Sequence, residues 1–400
     1  MKVVQINSTC GIGSTGKICV GISRVLTDAQ VENYILCSRT NGYPLGIRCS
    51  TSGYIKTQAL KSRIQGNYGF NSKTATRTII EELERIQPDI VHLHNIHGHD
   101  CNLEMLFSYF RQKKTKLLWT FHDCWAFTGY CPHFTMVKCD KWRSTCDKCI
   151  QRRVFSWFFD RSRELFERKK ALFEGQNLTV ITPSRWLAEL VQKSFLKEYP
   201  VSVIRNGIDL SVFRSTHSDF RKIHGLENKK IVLGVSFGWD DRKGLDVFIG
   251  LAKRLPEDYQ IILVGTDQNV DNLLPENIIA LHRTQNQQEL AEIYSSADVF
   301  VNPTREENYP TVNMESLACG TPVLTFRTGG SPEMLDGTCG SVVACDDIDA
   351  LEKEVIRICT DKPYSQVQCL KKAAQFDENE RFKEYLNIYE RTVSAGDQRD

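Results

Sequence analysis

Short apolar runs recur along this chain with amphipathic stretches between them, and few folds are compatible with that alternation. A run that is apolar at successive positions buries both of its faces, as strands of a parallel sheet do. The amphipathic stretch that follows can cross back over the sheet as a helix. In the first half the pattern predicts strands at Val3–Ile6, Asn33–Cys37, Ile90–His94, Leu117–Phe121 and Thr179–Thr182, with helices near Lys17–Leu26, Thr76–Ile86, Asn102–Arg111 and Phe155–Phe173. In the second half it predicts strands at Lys230–Val235, Tyr259–Val264, Val299–Asn302 and Pro322–Phe326, with helices near Leu245–Leu255, Gln288–Ser295 and Thr311–Cys319. The class is therefore α/β, as two doubly wound, Rossmann-like domains facing across a cleft. The 400 residues are too many for one hydrophobic core. The expected division is 1–200, 201–375, and a helical segment 376–400 packing back on the first domain, with a turn signal at Val203–Asp209 near the join.

Composition narrows the function classes. Charged residues make up 25% and hydrophobic residues 41%, with no low-complexity tract, which excludes disordered, collagenous and coiled-coil chains. No apolar stretch reaches the roughly 18 residues that cross a bilayer, and the run at Met1–Asn7 is too short for a signal peptide. A cytoplasmic protein is expected, its 15 cysteines mostly reduced thiols. Residues 1–180 carry 26 Lys and Arg against 15 Asp and Glu, and residues 181–400 carry 25 against 34. A basic half can meet nucleic acid, an anionic membrane or a phosphorylated substrate; equally, the two halves can attract each other.

Doubly wound sheets bind ligands beyond the carboxyl ends of their strands, which directs attention to strand-to-helix turns. The first is Cys10–Lys17, where the backbone at Gly13 and Ser14 can approach a phosphate at a helix N-terminus. It also scans as a P-loop of an NTPase or kinase, but Ile18 stands where the Mg²⁺-binding Ser or Thr must be. His92 and His94 share one face of a strand, a pair that can ligate zinc in a metallohydrolase; too few ligands follow at later strand tips, so hydroxyl-binding or core histidines are preferred. His122 begins the aromatic loop Phe121–Tyr130, the composition of a carbohydrate site, and is the candidate substrate contact; the alternative is a buried, satisfied histidine. Cys131, Cys139, Cys146 and Cys149 could close a structural zinc site that pins a long loop lacking its own core, or stay unligated. Gln151–Gly175 interleaves Phe and Trp with Arg and Lys, which suits the headgroup layer of an anionic membrane as well as it suits the domain core.

The second half carries the most specific pattern. Arg242 and Lys243 sit where a strand-to-helix turn can pair them with a phosphate. In Arg305–Pro322, Pro310 suits a first helical turn, so Glu307 lies just outside the helix and the amides of Thr311 and Val312 face the ligand. Ionised Glu307 suits sugar hydroxyls, and Glu315, two turns on, suits a ribose diol. Two carboxylates often mark a hydrolase. Cations and helix ends beside them argue instead for a leaving group that is already an anion, a diphosphate.

At these residues the chain resembles glycosyltransferase family 4, retaining, nucleotide-sugar-dependent enzymes of the GT-B fold. Glu307 and Glu315 match the family's Glu-x7-Glu motif, followed by the matching Ser316–Val323. The likeness also covers Gly11–Gly16, Pro88–His92, the His122 loop, Ile204–Asp209, Arg242–Gly244 and Tyr294–Phe300. It implies that Lys243 binds the diphosphate, Glu307 the donor sugar, Glu315 the ribose and the backbone over Asn308, Tyr309, Pro310 and Thr311 the sugar and phosphate, with His122 approaching the sugar from the other domain. It implies no essential metal or other cofactor, a nucleoside-diphosphate sugar as co-substrate, and a departing phosphate that takes the acceptor proton while attack occurs on the same face. Many members carry an Arg about six residues before the Lys, where this chain has Phe237; Arg242 is the candidate for the second cation, and the alternative is that nothing takes that place. The Cys loop and the His122 segment are similar to a subgroup of bacterial surface-polysaccharide transferases. That likeness implies a lipid-linked glycan acceptor. With the basic, aromatic Gln151–Gly175 segment, a chain peripheral on the inner membrane face is expected, and no nucleic-acid partner. The rival reading is an inactive sugar-nucleotide-binding module, or a P-loop NTPase.

Overall fold

Two all-parallel sheets, each flanked by helices, account for the alternation, and the computed structural model describes them over residues 1–394. The last six residues of the expected C-terminal segment lie outside the described residues. By contacts the chain forms one unit from Met1–Arg205 with the helix from Asn379 onward, and a second from Asn206–Glu378.

The first unit's strands are β1 (Lys2–Ile6), β2 (Glu32–Cys37), β3 (Gly46–Arg48), β4 (Ile90–Leu93), β5 (Leu117–Thr120), β6 (Leu178–Thr182) and β7 (Val201–Val203). Their spatial order is β3-β2-β1-β4-β5-β6-β7. The order reverses beside β1, so the turns after β1 and β4 open onto one crevice. Val3, Val4 and Ile6 are at most 1% exposed because helices cover both faces. The helix Glu378–Ser394 closes one face by burying Phe382, Tyr385 and Tyr389 against Val3, Ile18, Ile90 and Leu118. Each such side chain contributes about 1.5–3 kcal/mol of burial.

Between β5 and β6 runs a long loop that does have a core. Phe127, Phe134 and Trp142 stack together, with Trp142 ring centroids 5.4 and 5.1 Å from its two neighbours. The Lys169 ammonium, wholly buried, donates to Trp125 O (2.7 Å) and Thr128 O (3.0 Å) beneath the Trp125 ring. The helix expected over Phe155–Phe173 is two pieces, Arg152–Phe155 and Ser162–Phe173. Asp160 causes the break: its carboxylate accepts from the amides of Ser162 (3.0 Å) and Cys149 (2.8 Å), which starts the second helix and ties it to the loop. Phe166 and Phe173 turn into the core, whereas Trp157, Phe158 and Phe159 stand about half exposed between the pieces.

The second unit repeats the plan with β8 (Lys230–Val235), β9 (Tyr259–Val264), β10 (Ile278–Leu281), β11 (Val299–Asn302), β12 (Val323–Phe326) and β13 (Gly340–Val343), ordered β10-β9-β8-β11-β12-β13. Alternate residues feed opposite layers: Ile231, Leu233, Ile262 and Phe300 enter one core, and Val232, Ile261, Val299 and Val301 the other. The switch point lies between β8 and β11.

Candidate active site

The turns that leave β8 and β11 meet at this switch point. After β8, the Asp240 carboxylate accepts from Lys243 N (2.9 Å) and caps the short turn Asp241–Lys243. Gly244 then adopts a left-handed conformation (φ +77°), and a Cβ there would lie 2.6 Å from the Pro303 carbonyl oxygen. Glycine at 244 therefore lets the two turns touch. Arg305 N donates to Arg242 O at 2.8 Å, and the Arg305 guanidinium grips both oxygens of Asp246 (2.8 and 2.8 Å) and one of Asp346 (2.7 Å). Arg305 was not among the residues expected to act; its charge is consumed in bracing the Lys243 turn.

In that frame Lys243 Nζ donates to Glu307 Oε2 at 2.7 Å while Asn308 N donates to Oε1 at 3.2 Å. Lys243 and Glu307 are 24% and 19% exposed, so the pair is accessible from one side only. Gly329 backs the loop: with φ +53° it lies so close that a Cβ would overlap the Glu307 carbonyl oxygen, and Gly330 N donates to Asn308 O at 2.8 Å.

Glu315 lies on the helix Thr311–Ala318, and the Tyr294 hydroxyl donates to its Oε2 at 3.2 Å. Burial, with the Glu315 charge beside it, pushes the Tyr294 phenol well above its usual range, so it stays a donor. Tyr294 is a site residue that sequence reasoning missed; its position in the last turn of the helix before the Ala297–Asp298 strand approach was the available signal. No side chain caps the helix at Pro310, and its first amides are those of Thr311 and Val312. Pro310 has no N–H, so among the predicted donor contacts it contributes only the entry angle. Tyr309 is buried in the core, which limits it to main-chain contacts. Arg242 is about one-third exposed, with Nε 4.0 Å from Asp240, and Phe237 is 98% exposed.

In the first unit, Gly13 and Ser14 open the helix Gly13–Asp28, which has no capping side chain at Ile12. Both are exposed. Ile18 is packed with Ile22, Leu26 and Phe382, so the position a P-loop needs for magnesium is inside the core, against the NTPase reading. His92 and His94 do share a face, but as satisfied core groups. His92 bonds the hydroxyls of Tyr389 (2.6 Å) and Thr120 (2.8 Å), and burial lowers its pKa to about 3. His94 lies between Gln5 Oε1 and His122 Nε2, each 3.1 Å away. Burial brings His122 to about 4, so it is neutral at pH 7. Beside it, burial would raise Asp123, but the His97 ring at 2.9 Å outweighs that and holds its carboxyl at about 2.

Cys131, Cys139, Cys146 and Cys149 line one small cavity, with Cys131 and Cys149 Sγ atoms 3.9 Å apart. Among the described residues, however, no group of three or more His, Cys, Asp or Glu is placed to hold a metal ion. Cys146 Sγ turns instead to the Gly129 amide at 3.2 Å, and the aromatic core already pins the loop.

The family described as Glycosyltransferase Family 4 matches residues 16–212, and the family described as Glycosyl transferases group 1 matches residues 229–361. The chain is 23% identical over 81% of its length to WcaC of Escherichia coli (strain K12), which bears the name of a colanic acid biosynthesis glycosyl transferase, and covers 80% of that protein. It is 28% identical over 52% of its length to a Campylobacter jejuni N,N'-diacetylbacillosaminyl-diphospho-undecaprenol alpha-1,3-N-acetylgalactosaminyltransferase, and spans 58% of it. Among solved structures, sucrose-phosphate synthase from Thermosynechococcus elongatus superposes with a TM-score of 0.73 at 18% identity, covering 98% of this chain and 99% of that one. Anabaena Alr3699/HepE in complex with UDP-glucose gives 0.67 at 16%, covering 97% and 100%. Two family matches in tandem, on two doubly wound sheets with the Glu307 and Glu315 motif at the second switch point, place the chain: it belongs to glycosyltransferase family 4, as a glycosyltransferase of the GT-B fold.

Proposed function

We propose that the chain moves a hexose-type sugar from a nucleoside diphosphate to a lipid-linked glycan in surface-polysaccharide assembly, with retention of configuration and without a catalytic metal. The observation that carries this reading is Lys243 held 2.7 Å from Glu307 at the switch point of the second sheet, just ahead in sequence of a helix start that no side chain caps. Glu307, an ionised carboxylate, orients the donor sugar by accepting from its hydroxyls. Lys243, with Arg242 and the amides of Thr311 and Val312, takes up the negative charge that grows on the departing diphosphate. A leaving group neutralised in this way needs no proton from a general acid; it can itself accept the acceptor's proton on the face it leaves. Glu315, oriented by Tyr294, takes the ribose diol.

The relatives support the substrate class, since one is named for colanic acid biosynthesis and another for a diphospho-undecaprenol acceptor. UDP-glucose accompanies one of the similar structures. A lipid-borne acceptor also gives a role to the exposed residues Ile150, Val154, Trp157, Phe158 and Phe159, which stand beside Arg152, Arg153 and Arg163. Among the described residues no helix is long and apolar enough to cross a membrane. The proposed contact is therefore peripheral, with aromatic rings in the headgroup layer and guanidinium groups at anionic lipid.

The test is turnover with UDP-, GDP- and ADP-sugars in EDTA, using an undecaprenyl-diphosphate-linked sugar as acceptor and reading the product's anomeric coupling by NMR. Nucleotide release coupled to a product of donor configuration is expected. Inversion, a requirement for divalent metal, or donor binding with no transfer would each defeat the corresponding part of the reading. Flotation with anionic, but not neutral, liposomes is expected, and its loss in Trp157→Ser/Phe158→Ser tests the membrane contact.

A further inference from the structure

The long loop between β5 and β6 brings two thiols into contact that no step of the proposed transfer uses. Cys131 follows the aromatic turn Phe121–Tyr130, and Cys149 comes 18 positions later, at the end of the turn Cys146–Cys149. Their Sγ atoms are 3.9 Å apart. A disulfide needs about 2 Å, so each sulfur has roughly 1 Å to travel. The backbone keeps the two together: the Thr128 hydroxyl donates to Cys131 O at 2.6 Å, Cys149 N donates to Asp160 at 2.8 Å, and Arg152 N donates to Cys149 O at 3.1 Å.

The two sulfurs differ in access. Cys149 is partly exposed, whereas Cys131 is buried. The Lys141 ammonium donates to the carbonyls of Asp147 (3.0 Å) and Lys148 (3.2 Å), which sets a positive charge on the turn that ends at Cys149, the surroundings in which thiolates react. An accessible sulfur with a second, protected sulfur at its side is the arrangement of an attacking and a resolving thiol. The other thiols of this unit lack it: Cys146 turns its sulfur to the Gly129 amide at 3.2 Å, and apart from Cys139 the rest are buried.

We propose that Cys131 and Cys149 form a dithiol site that a hydroperoxide oxidises to a disulfide, stapling the aromatic loop to the segment that begins at Ile150. The Cys149 thiolate attacks the distal oxygen of the hydroperoxide, the O–O bond breaks, and the departing alkoxide or hydroxide takes a proton, leaving a sulfenic acid on Cys149. The Cys131 sulfur then attacks Cys149 Sγ, the S–O bond breaks, and the departing hydroxide leaves as water with the Cys131 proton. Two thiols and one hydroperoxide thus give one disulfide, one alcohol or water, and one further water. A dithiol reductant reverses the bond by exchange. The functional consequence rests on the proposed lipid contact: Ile150, Trp157, Phe158 and Phe159 are exposed just beyond Cys149, so the staple restrains the segment that would enter the headgroup layer.

The experiment uses the full-length wild-type protein, reduced and then treated with one equivalent of hydrogen peroxide near neutral pH. Expected are a mass lower by two hydrogens, a Cys131–Cys149 cross-link in the peptide map without reductant, and a Tm higher by about 5 °C or more, all reversed by dithiothreitol. Cys149→Ser should gain neither cross-link nor Tm, and Cys131→Ser should stop at a Cys149 sulfenic acid that dimedone traps. A cross-link at another pair, no cross-link with equimolar peroxide, or stoichiometric zinc in protein purified without chelator would each overturn the proposal, with no variant required. Oxidised protein should float with anionic liposomes more completely than reduced protein. Equal flotation of the two forms, with Trp157→Ser/Phe158→Ser still lost from the liposomes, sinks the consequence while the dithiol site and the lipid contact stand; no flotation of either form sinks the lipid contact itself.

Discussion

Replacing Lys243 by Ala separates a catalytic cation from a structural ion pair, because the two roles predict different numbers. As an ion pair only, Lys243 and Glu307 are 24% and 19% exposed and 2.7 Å apart. A pair that is still partly solvated nets about 0.2–1 kcal/mol. The loop does not depend on it, since Asp240, Arg305, Gly244 and Gly329 brace it through other contacts. For a unit the size of Asn206–Glu378, a loss of about 1 kcal/mol lowers Tm by roughly 2–4 °C. As the cation that meets a developing diphosphate, the same group is worth about 10²- to 10³-fold in kcat, or roughly 3–4 kcal/mol. The expected result is thus a Tm within a few degrees of wild type and a kcat down by two to three orders of magnitude. The assay is nucleotide release at saturating donor and acceptor, with calorimetry on the same samples. Glu307→Gln should show the same split, and the double variant should lose much less than the product of the single effects, because the two groups act as one unit. A kcat within about threefold of wild type at saturating donor, whatever the Tm, would refute the reasoning from charge stabilisation.

Glu315→Gln should raise the donor Kd and KM with kcat little changed, since a ribose contact is made equally in ground and transition states; isothermal titration reads it, and a kcat-only effect would contradict the assignment. Tyr294→Phe should move the same parameter in the same direction by a smaller factor, through the lost 3.2 Å bond. Gly329→Ala should abolish turnover and lower Tm, because its Cβ meets the Glu307 carbonyl; wild-type donor binding in a folded Gly329→Ala would show that the loop can move away. Stability should fall as pH drops from about 6.5 towards 4. His92, His122 and His99 ordinarily titrate at 6.5 but are held at about 3, 4 and 4 by burial, so over that window the unfolded chain binds more protons than the folded one. Each such group removes up to about 1.4 kcal/mol per pH unit. Asp123, held at about 2 instead of 3.8 despite its burial, contributes stability above 3.8 that is lost only on further acidification. A Tm constant between pH 7 and 4.5 would count against these burials.

The alternation of apolar runs and amphipathic stretches was enough, unaided, to specify two parallel α/β sheets, because a strand buried on both faces must be apolar at successive positions; Ile231, Val232 and Leu233 alternate between two cores. Edge strands such as Gly46–Arg48 and Gly340–Val343 escaped notice because only one neighbour pairs with them and their residues need not be apolar. Local chemistry was likewise legible: glycine and cations at strand ends, and two glutamates flanking a helix start. What each charge does was left to tertiary structure. Arg305 and Lys243 are both cations at strand ends of one sheet, yet Asp246 and Asp346 occupy the first and Glu307 the second. The helix expected over Phe155–Phe173 broke because the Asp160 carboxylate bonds amides on both sides of the break. Gln5, His94 and His122 are hydrogen-bonded in one row although they lie far apart in sequence. Periodicity records which face of an element is buried, whereas hydrogen-bond partners are selected by which turns the strand order brings to the same crevice, and that order exists only once the sheet has assembled.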